Sequence, residues 1–264
     1  MTTIENVAGA SESLYIEIGD SSSDNTQELK FRNETQPIVE PKHWERRFTE
    51  TAVLDLPLQL WRKGIRFRGN VLELGAGGCW FSSIVSKFVE VKHVYALDFS
   101  SQLLMNVAPL MMDHLHAKKE KIVRVRGSFY NLRVINKKFD FVVFDSALHH
   151  ADHPIKLLRE IREVLSNDGV LVCLRENIAP SLPILEQIVR RKTGASEKRY
   201  GVTENIFTLS QWKDLFRRGE FRMRVIALPI SLNRKSLLMA QIPYLNKLLY
   251  RADSQTIAFV AVPY

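Results

Sequence analysis

A chain of 264 residues, 45% apolar and 25% charged, has the length for one α/β core with additions and the balance of a soluble globular protein. It contains no run of eighteen or more apolar residues, so no transmembrane segment is expected, and residues 1–20 lack the basic start and apolar centre of a secretory signal. The net charge of +8 is unevenly spread: residues 1–40 carry eight acids against Lys30 and Arg32, a net of −6, which leaves +14 on the remainder.

Residues 1–40, rich in Ser, Thr, Asn and acids, read as a mobile or lid-like segment, in which Leu14, Tyr15, Ile16 and Ile18 are apolar enough to dock. Residues 41–264 read as the main domain. His43 to Trp61 shows a helical pattern, with Trp44, Phe48, Ala52 and Leu56 near every fourth position, and Pro57 is expected to stop it. Val71, Leu72 and Leu74 then form a buried strand, Gly75-Ala76-Gly77-Gly78 break it, and Phe81, Ile84, Val85 and Phe88 recur at helical spacing. A strand, a glycine turn and a helix in that order leave backbone N–H groups facing a cleft beyond the strand's carboxyl end, where an anionic or carboxylate-bearing ligand is favoured. Cys79 and Trp80 make this turn bulky. Trp80 stands where a dehydrogenase-type G-x-G-x-x-G loop would place its third glycine, which weakens a nicotinamide-cofactor reading.

About twenty residues beyond the glycines, His93 to Asp98 is a second apolar strand ending in a carboxylate, placed where dinucleotide folds hold a ribose diol. Ser100 to Lys118 reads as a helix that Pro109 kinks or breaks, and Lys121 to Gly127 alternates as a strand. Phe139 to Asp145 is a third strand ending in an acid. Pro154 to Leu165 is an amphipathic helix, Asn167-Asp168-Gly169 its stop, and Val170 to Leu174 a buried strand from which Arg175 and Glu176 emerge. Another helix is expected from Ser181. Ser210 reads as the N-cap of a helix through Arg218, and residues 221–229 and 256–263 read as an antiparallel pair of strands. The stretch 230–253 between them is an insertion longer than a hairpin needs.

The ordered series Glu73-x-Gly75-x-Gly77, Tyr95-Ala96-Leu97-Asp98, Phe139-Asp140-x-Val142-x-x-Asp145, Leu148-His149-His150-x-x-His153-Pro154 and Leu165-Ser166-Asn167-Asp168-Gly169 resembles the class I S-adenosylmethionine-dependent methyltransferases. Within them it is similar to the small-molecule branch that includes quinone, natural-product and glycan methyltransferases. The resemblance spans residues 70–176 and departs from the family's pattern at Cys79, where a third glycine is usual, and at Ser128, where an acid often contacts adenine. It implies a Rossmann-like seven-stranded, mostly parallel sheet with helices on both faces and an antiparallel last strand. It also implies methyl transfer from S-adenosylmethionine to an O-, N- or C-nucleophile, leaving S-adenosylhomocysteine. The residues implied around the cofactor are Glu73, Gly75, Ala76, Gly77, Asp98, Phe99, Ser128, Phe129, Asp145 and Ser146. The family's segment over the active site makes Tyr200, Glu204, Asn205 and Phe207 acceptor contacts, and Arg175 suits a carboxylate or phosphate on the acceptor.

His149, His150 and His153, with Asp145 and Asp152, sit within ten residues and tempt a zinc reading. Adjacent histidines seldom point at one ion, and no H-x₃-H or C-x₂-C partner is present, so no metal is expected. An imidazole near the acceptor can take a proton at neutral pH, which makes His149 and His150 the candidate bases; the alternative is that they cap or pack against the next helix. Asp98→Ala is expected to weaken cofactor binding with little effect on folding, the alternative being that Asp98 merely caps the following helix. Cys79 and Cys173 read as free thiols in a reducing cytoplasm. The basic body fits an anionic small molecule or a nucleic acid, and clusters such as Lys118-Lys119-x-Lys121 lack the interleaved aromatics of a single-strand binding groove. RNA or DNA methylation, and cofactor binding without methyl transfer, are therefore the alternative functions; oligomeric state has no signature in the sequence.

Overall fold

The computed structural model describes residues 13–18, 30, 53–130, 132–180, 184, 186–187, 199, 201–228 and 257–264. The rest of the N-terminal segment, Trp44, Phe48, Tyr200, most of the stretch after Ser181 and the insertion 230–253 lie outside the described residues.

The strands are β1 (Leu14–Glu17), β2 (Gly69–Leu74), β3 (Val91–Asp98), β4 (Ile122–Arg126), β5 (Phe139–Asp145), β6 (Leu165–Leu174), β7 (Ile178–Ala179), β8 (Phe207–Thr208), β9 (Phe221–Ala227) and β10 (Ile257–Pro263). Eight of them form one sheet in the order β1-β4-β3-β2-β5-β6-β10-β9, and β7 and β8 pair separately. Neighbours from β1 to β6 are parallel, while β10 runs antiparallel to both β6 and β9. The sheet has eight strands rather than seven because Leu14–Glu17, expected as a docking lid, adds itself in parallel to the free edge of β4, with Leu14 opposite Val123. A backbone edge left unpaired is a template for a further strand.

The α-helices among the described residues are α1 (Leu56–Arg62), α2 (Trp80–Val85), α3 (Ala108–His114), α4 (Pro154–Val164) and α5 (Leu209–Arg218). Alternation along the central strands splits the core in two. Leu72, Leu74, Leu97, Val142 and Phe144 meet Leu157, Leu158 and Ile161 of α4 and Trp212 and Phe216 of α5. Val71, Val94, Ala96, Phe141 and Val143 face the other way, against Leu56 and Leu60 of α1, Phe81 and Val85 of α2 and Met111 and Met112 of α3. Helices on both faces are what buried parallel strands require.

Several boundaries differ from the sequence expectation. Pro57 opens α1 instead of stopping the previous helix, since a proline in the first turn loses no hydrogen bond. Pro109 sits at the junction where the π-helical turn Leu103–Val107 gives way to α-helix, so the expected break is a change of winding. Asn167-Asp168-Gly169 lies inside β6: pairing steps from Leu165 opposite Phe139 to Val170 opposite Phe141, so the residues between bulge out of register. The cap of α5 is Thr208 rather than Ser210, through a capping box in which Thr208 Oγ1 accepts from Gln211 N (3.3 Å) and Gln211 Oε1 accepts from Thr208 N (2.8 Å).

Candidate active site

The parallel strands β2, β3, β5 and β6 bring Leu74, Asp98, Asp145 and Leu174 to one end of the sheet, and the strand order reverses between β2 and β5. In open α/β sheets the crevice at that reversal is where ligands bind.

The glycine turn after β2 occupies it. Gly75 (φ +75°) and Gly77 (φ +50°) take left-handed backbone, as does Cys79 (φ 60°), which stands where the family's third glycine would be and carries the strain a side chain adds there. Gly75 N and Ala76 N both donate to Leu97 O at 2.9 Å, clamping the turn to the end of β3. Asp98 completes the clamp: Oδ2 accepts from Gly77 N and Oδ1 from Ser100 N, each at 2.8 Å. A Cβ on Gly77 would meet nothing nearer than Leu103 Cδ1 at 4.0 Å, so the turn has room for a ligand on that side, whereas a Cβ on Gly75 would lie 2.6 Å from Ala147 Cβ. Asp98 is only 1% exposed, which corrects the expectation that its removal would leave folding almost untouched.

Glu73 lies beneath the turn. Its Oε2 accepts from the backbone N (3.0 Å) and the hydroxyl of Ser82, tying β2 to the start of α2. Burial pushes its carboxyl up to about 8, the hydrogen bonds from Ser82 pull it down, and the charges of Asp145 and Asp98 add to the rise. Its carboxyl is thus neutral at neutral pH, and it supports the turn from below. Phe99, also buried, follows Asp98 under the cleft. Phe129 packs edge-on against Phe144 (5.8 Å, 87°) with its Cζ 3.5 Å from where a Cβ of Gly75 would be. Ser128 Oγ accepts from Tyr130 N at 3.3 Å.

Asp145 and Ser146 end β5 on the other side of the turn. Ser146 has φ 56° and donates its N–H to Leu174 O at 2.8 Å. Asp145 is closed off by two partners: Arg175 grips it bidentately, with Nε 2.7 Å from Oδ1, and the Trp80 indole N–H reaches Oδ2 at 3.0 Å. Arg175 also lies over the Trp80 ring at 5.8 Å. The structure therefore places Arg175 in a buried ion pair at the strand end, with Asp145 and Trp80 as its neighbours.

Beyond Ala147, the turn Leu148–His150 brings both imidazoles together, with ring centroids 4.3 Å apart. Glu176, 2% exposed, organises this turn. Its Oε1 accepts from Ala147 N and Leu148 N (3.3 and 3.1 Å), and its Oε2 from His149 N and His149 Nδ1 (3.0 and 2.7 Å). Because a carboxylate only accepts, Nδ1 carries the proton and His149 presents Nε2 towards Glu204, whose Oε1 is 3.7 Å away. His150 Nδ1 is 2.9 Å from Thr203 O and 3.3 Å from Glu204 Oε2. Asn205 straps the turn from outside, N donating to His149 O and Nδ2 to Ala151 O, both at 2.8 Å. Glu176 and Glu204 thus share the cluster with the histidines, a grouping that spacing alone does not announce.

A family model described as a methyltransferase domain matches residues 72–173. A demethylmenaquinone methyltransferase of Staphylococcus epidermidis is 30% identical over 137 residues, 49% of this chain and 54% of that protein, so the chain spans about half the length of this relative. Among solved structures, the DhpI–SAM–HEP complex has a TM-score of 0.56 at 14% identity, covering 90% of this chain and 96% of that one. The pyocyanin biosynthetic protein PhzM has a TM-score of 0.53 at 19% identity, covering 80% and 55%. At such identities these two structures speak to the fold. The matched segment runs from the glycine turn's strand to the strand that precedes Arg175 and Glu176, and over it the chain is similar to a methyltransferase domain.

Proposed function

We propose that the chain binds S-adenosylmethionine over the Gly75–Gly77 turn and transfers its methyl group to a small-molecule acceptor ionised at the His149–His150 pair. The observation that carries this reading is the approach of Ala147 to Gly75, which makes the glycine turn and the histidine turn two parts of one wall. Bound there, S-adenosylmethionine supplies a sulfonium methyl: the acceptor's lone pair forms the new bond as the carbon–sulfur bond breaks, its electron pair returning to sulfur in S-adenosylhomocysteine.

The chain's own residues align and ionise. The positive-φ glycines let backbone approach the methionine portion, and Ala76 sits between them. Asp98, held at the end of β3 by Gly77 N and Ser100 N, is the carboxylate that accepts from the ribose hydroxyls, and Phe99 follows it. Phe129 and the backbone at Ser128 frame adenine. His149, its Nδ1 hydrogen-bonded to Glu176, is the residue whose Nε2 takes the acceptor's proton. Asn205 fixes the height of that turn, and the reading assigns Tyr200, outside the described residues, and Arg175 to the acceptor. The likeness to quinone-methylating relatives and the basic body favour an acceptor with an ionisable oxygen or an anionic group. Two buried free thiols suit a reducing cytoplasm, and among the described residues no helix is long and apolar enough to cross a membrane.

Calorimetric titration with S-adenosylmethionine and S-adenosylhomocysteine tests the first half, and mass spectrometry of a metabolite extract after incubation with isotope-labelled cofactor tests the second. Folded protein that binds neither cofactor overturns the reading. Methylation of RNA or DNA draws support from the net +14 beyond residue 40. Arg133, Arg162 and Arg217 are, however, already paired with Glu163, Glu220 and Asp214 at the surface. Steeply salt-dependent nucleic-acid binding would favour that alternative.

A further inference from the structure

We propose that His149, His150 and Glu204 form a site for one divalent cation of the zinc class, with Glu176 as its outer carboxylate, and that the ion receives the oxygen of the methyl acceptor. One nitrogen of each imidazole and one oxygen of Glu204 lie within 4.8 Å of one another. The Nε2 of His149 is 3.7 Å from Glu204 Oε1, while His150 Nδ1 is bonded to the Thr203 carbonyl at 2.9 Å and so leaves its Nε2 as the ligand atom. Metal–nitrogen and metal–oxygen bonds of about 2.0–2.1 Å in a tetrahedral arrangement set ligand atoms roughly 3.3 Å apart, so small side-chain rotations close the set.

Two further observations point to a cation. Glu204 Oε2 is buried without a hydrogen-bond partner, although the side chain is only 7% exposed and its Oε1 is held by Asn177 Nδ2 at 2.6 Å. A buried carboxylate oxygen left without a donor is costly, and an ion at that oxygen removes the cost. The second is the set of outer contacts. Glu176 is fixed by three backbone N–H groups and takes the Nδ1 proton of His149, while the Thr203 carbonyl takes that of His150. This is how metal-bound imidazoles are usually held, with the remote nitrogen donating to an oxygen and the near one presenting its lone pair.

The donor set names the class of ion. Two imidazoles and one carboxylate, without thiolate, suit Zn²⁺ or Fe²⁺ and leave a coordination position open. His149 and His150 lie two and three residues beyond Ala147, which approaches Gly75, so an acceptor hydroxyl, phenol or enol that reaches the ion from that side loses its proton to water, in place of the direct transfer to His149 that the ion-free site makes, and attacks as the metal-held oxyanion. The ion's role in transfer rests on the methyl-transfer reading above; its binding does not.

The test uses full-length protein stripped with a chelator and titrated with Zn²⁺ by calorimetry and with Co²⁺ by visible absorption, alongside separate titration with S-adenosylmethionine. One ion per chain is expected, with the absorption of a four- or five-coordinate Co²⁺ site. His149→Gln, His150→Gln and Glu204→Gln should each weaken binding at least tenfold, and Glu176→Gln by roughly 10–100-fold. His153→Gln, in the same loop but outside the cluster, should bind as wild type, and circular dichroism confirms that each variant is folded. Wild-type protein that is folded yet takes up no ion, or folded variants that all bind as wild type, overturn the metal site. In that event retained cofactor binding leaves the proton-accepting role of His149 standing. Ion binding lost in the variants, with no S-adenosylmethionine bound by wild type, supports the site and overturns the methyl-transfer reading.

Discussion

Asp98 Oδ2 accepts the backbone N–H of Gly77 at 2.8 Å, so the acid at the end of β3 holds the glycine turn in shape before any ligand arrives. Its other oxygen takes Ser100 N. Removing the carboxylate leaves two N–H groups unpaired in a buried setting, at about 1–3 kcal/mol each. Asp98→Ala should therefore lower the ligand-free melting temperature by at least about 4 °C and weaken S-adenosylmethionine binding by about ten- to a hundredfold. Thermal melts without ligand and calorimetry with it measure the two effects, and they should fall together. Asp98→Asn, which keeps one acceptor, should fall between. An Asp98→Ala protein with unchanged melting temperature would mean that these bonds are not made.

Gly75 supplies the tight approach on which the wall depends. Alanine there meets both a φ of +75° and a Cβ separation of 2.6 Å from Ala147. The backbone strain costs about 1–2 kcal/mol, and the clash pushes the histidine turn away from the glycine turn. Gly75→Ala should lose both stability and cofactor affinity. Adding Ala147→Gly removes the clash while leaving the strain, so the double variant should recover part of each loss. Denaturant unfolding of the two variants separates the contributions; recovery to full wild-type stability would show that φ at this position carries no cost.

What the sequence shows and what it hides follow from range. Val71–Leu74 and Phe139–Asp145 are continuous apolar runs bounded by glycine or acid, and such runs can only be buried strands in this setting. Asp98 and Gly77 are readable together because the strand–turn–helix unit fixes their separation. Pro57 is ambiguous by nature, since proline marks both the end of one helix and the first turn of the next. Thr208 and Ser210 compete for one cap, and Gln211 decides in favour of Thr208 by completing the box. His149 meets Glu176 across 27 residues, and Asn205 meets Ala151 across 54. All four lie in polar loops without periodicity, so nothing local signals that they converge. Adjacent histidines are expected to diverge, as they do on a strand; the tight 3₁₀ turn Leu148–His150 lets their rings meet.

Arg175 offers a direct test of a role that its position suggested. Its side chain is 14% exposed and that of Asp145 only 3%, so the pair is largely desolvated. Deleting one member of such a pair strands the other, at about 3–5 kcal/mol. Arg175→Met should be strongly destabilised, and Asp145→Asn combined with it should be less destabilised than the two single losses together. If Arg175 instead anchors an anionic acceptor, the folded variant will show a raised KM for that acceptor and near-normal stability. Unfolding free energies for the four proteins of the cycle distinguish the outcomes.

Glu73 links the buried floor of the site to pH. Its carboxyl titrates at about 8 in the folded chain, chiefly because burial disfavours the charge, against an ordinary value near 4.3 once unfolded. The folded state thus holds one more proton than the unfolded state between those limits. Stability from this group is complete below about pH 4, declines as pH rises, and is lost above about pH 8. The total swing is about 5 kcal/mol as an upper bound. Glutamine mimics the neutral form: it keeps an acceptor for Ser82 and cannot ionise. Glu73→Gln should therefore be closest to wild type in mildly acidic buffer and increasingly more stable than wild type from pH 6 to 9. Parallel melting curves for the two proteins across that range should diverge with rising pH, and curves that stay parallel, or diverge towards acid, would place the ionised form of Glu73 in the folded protein.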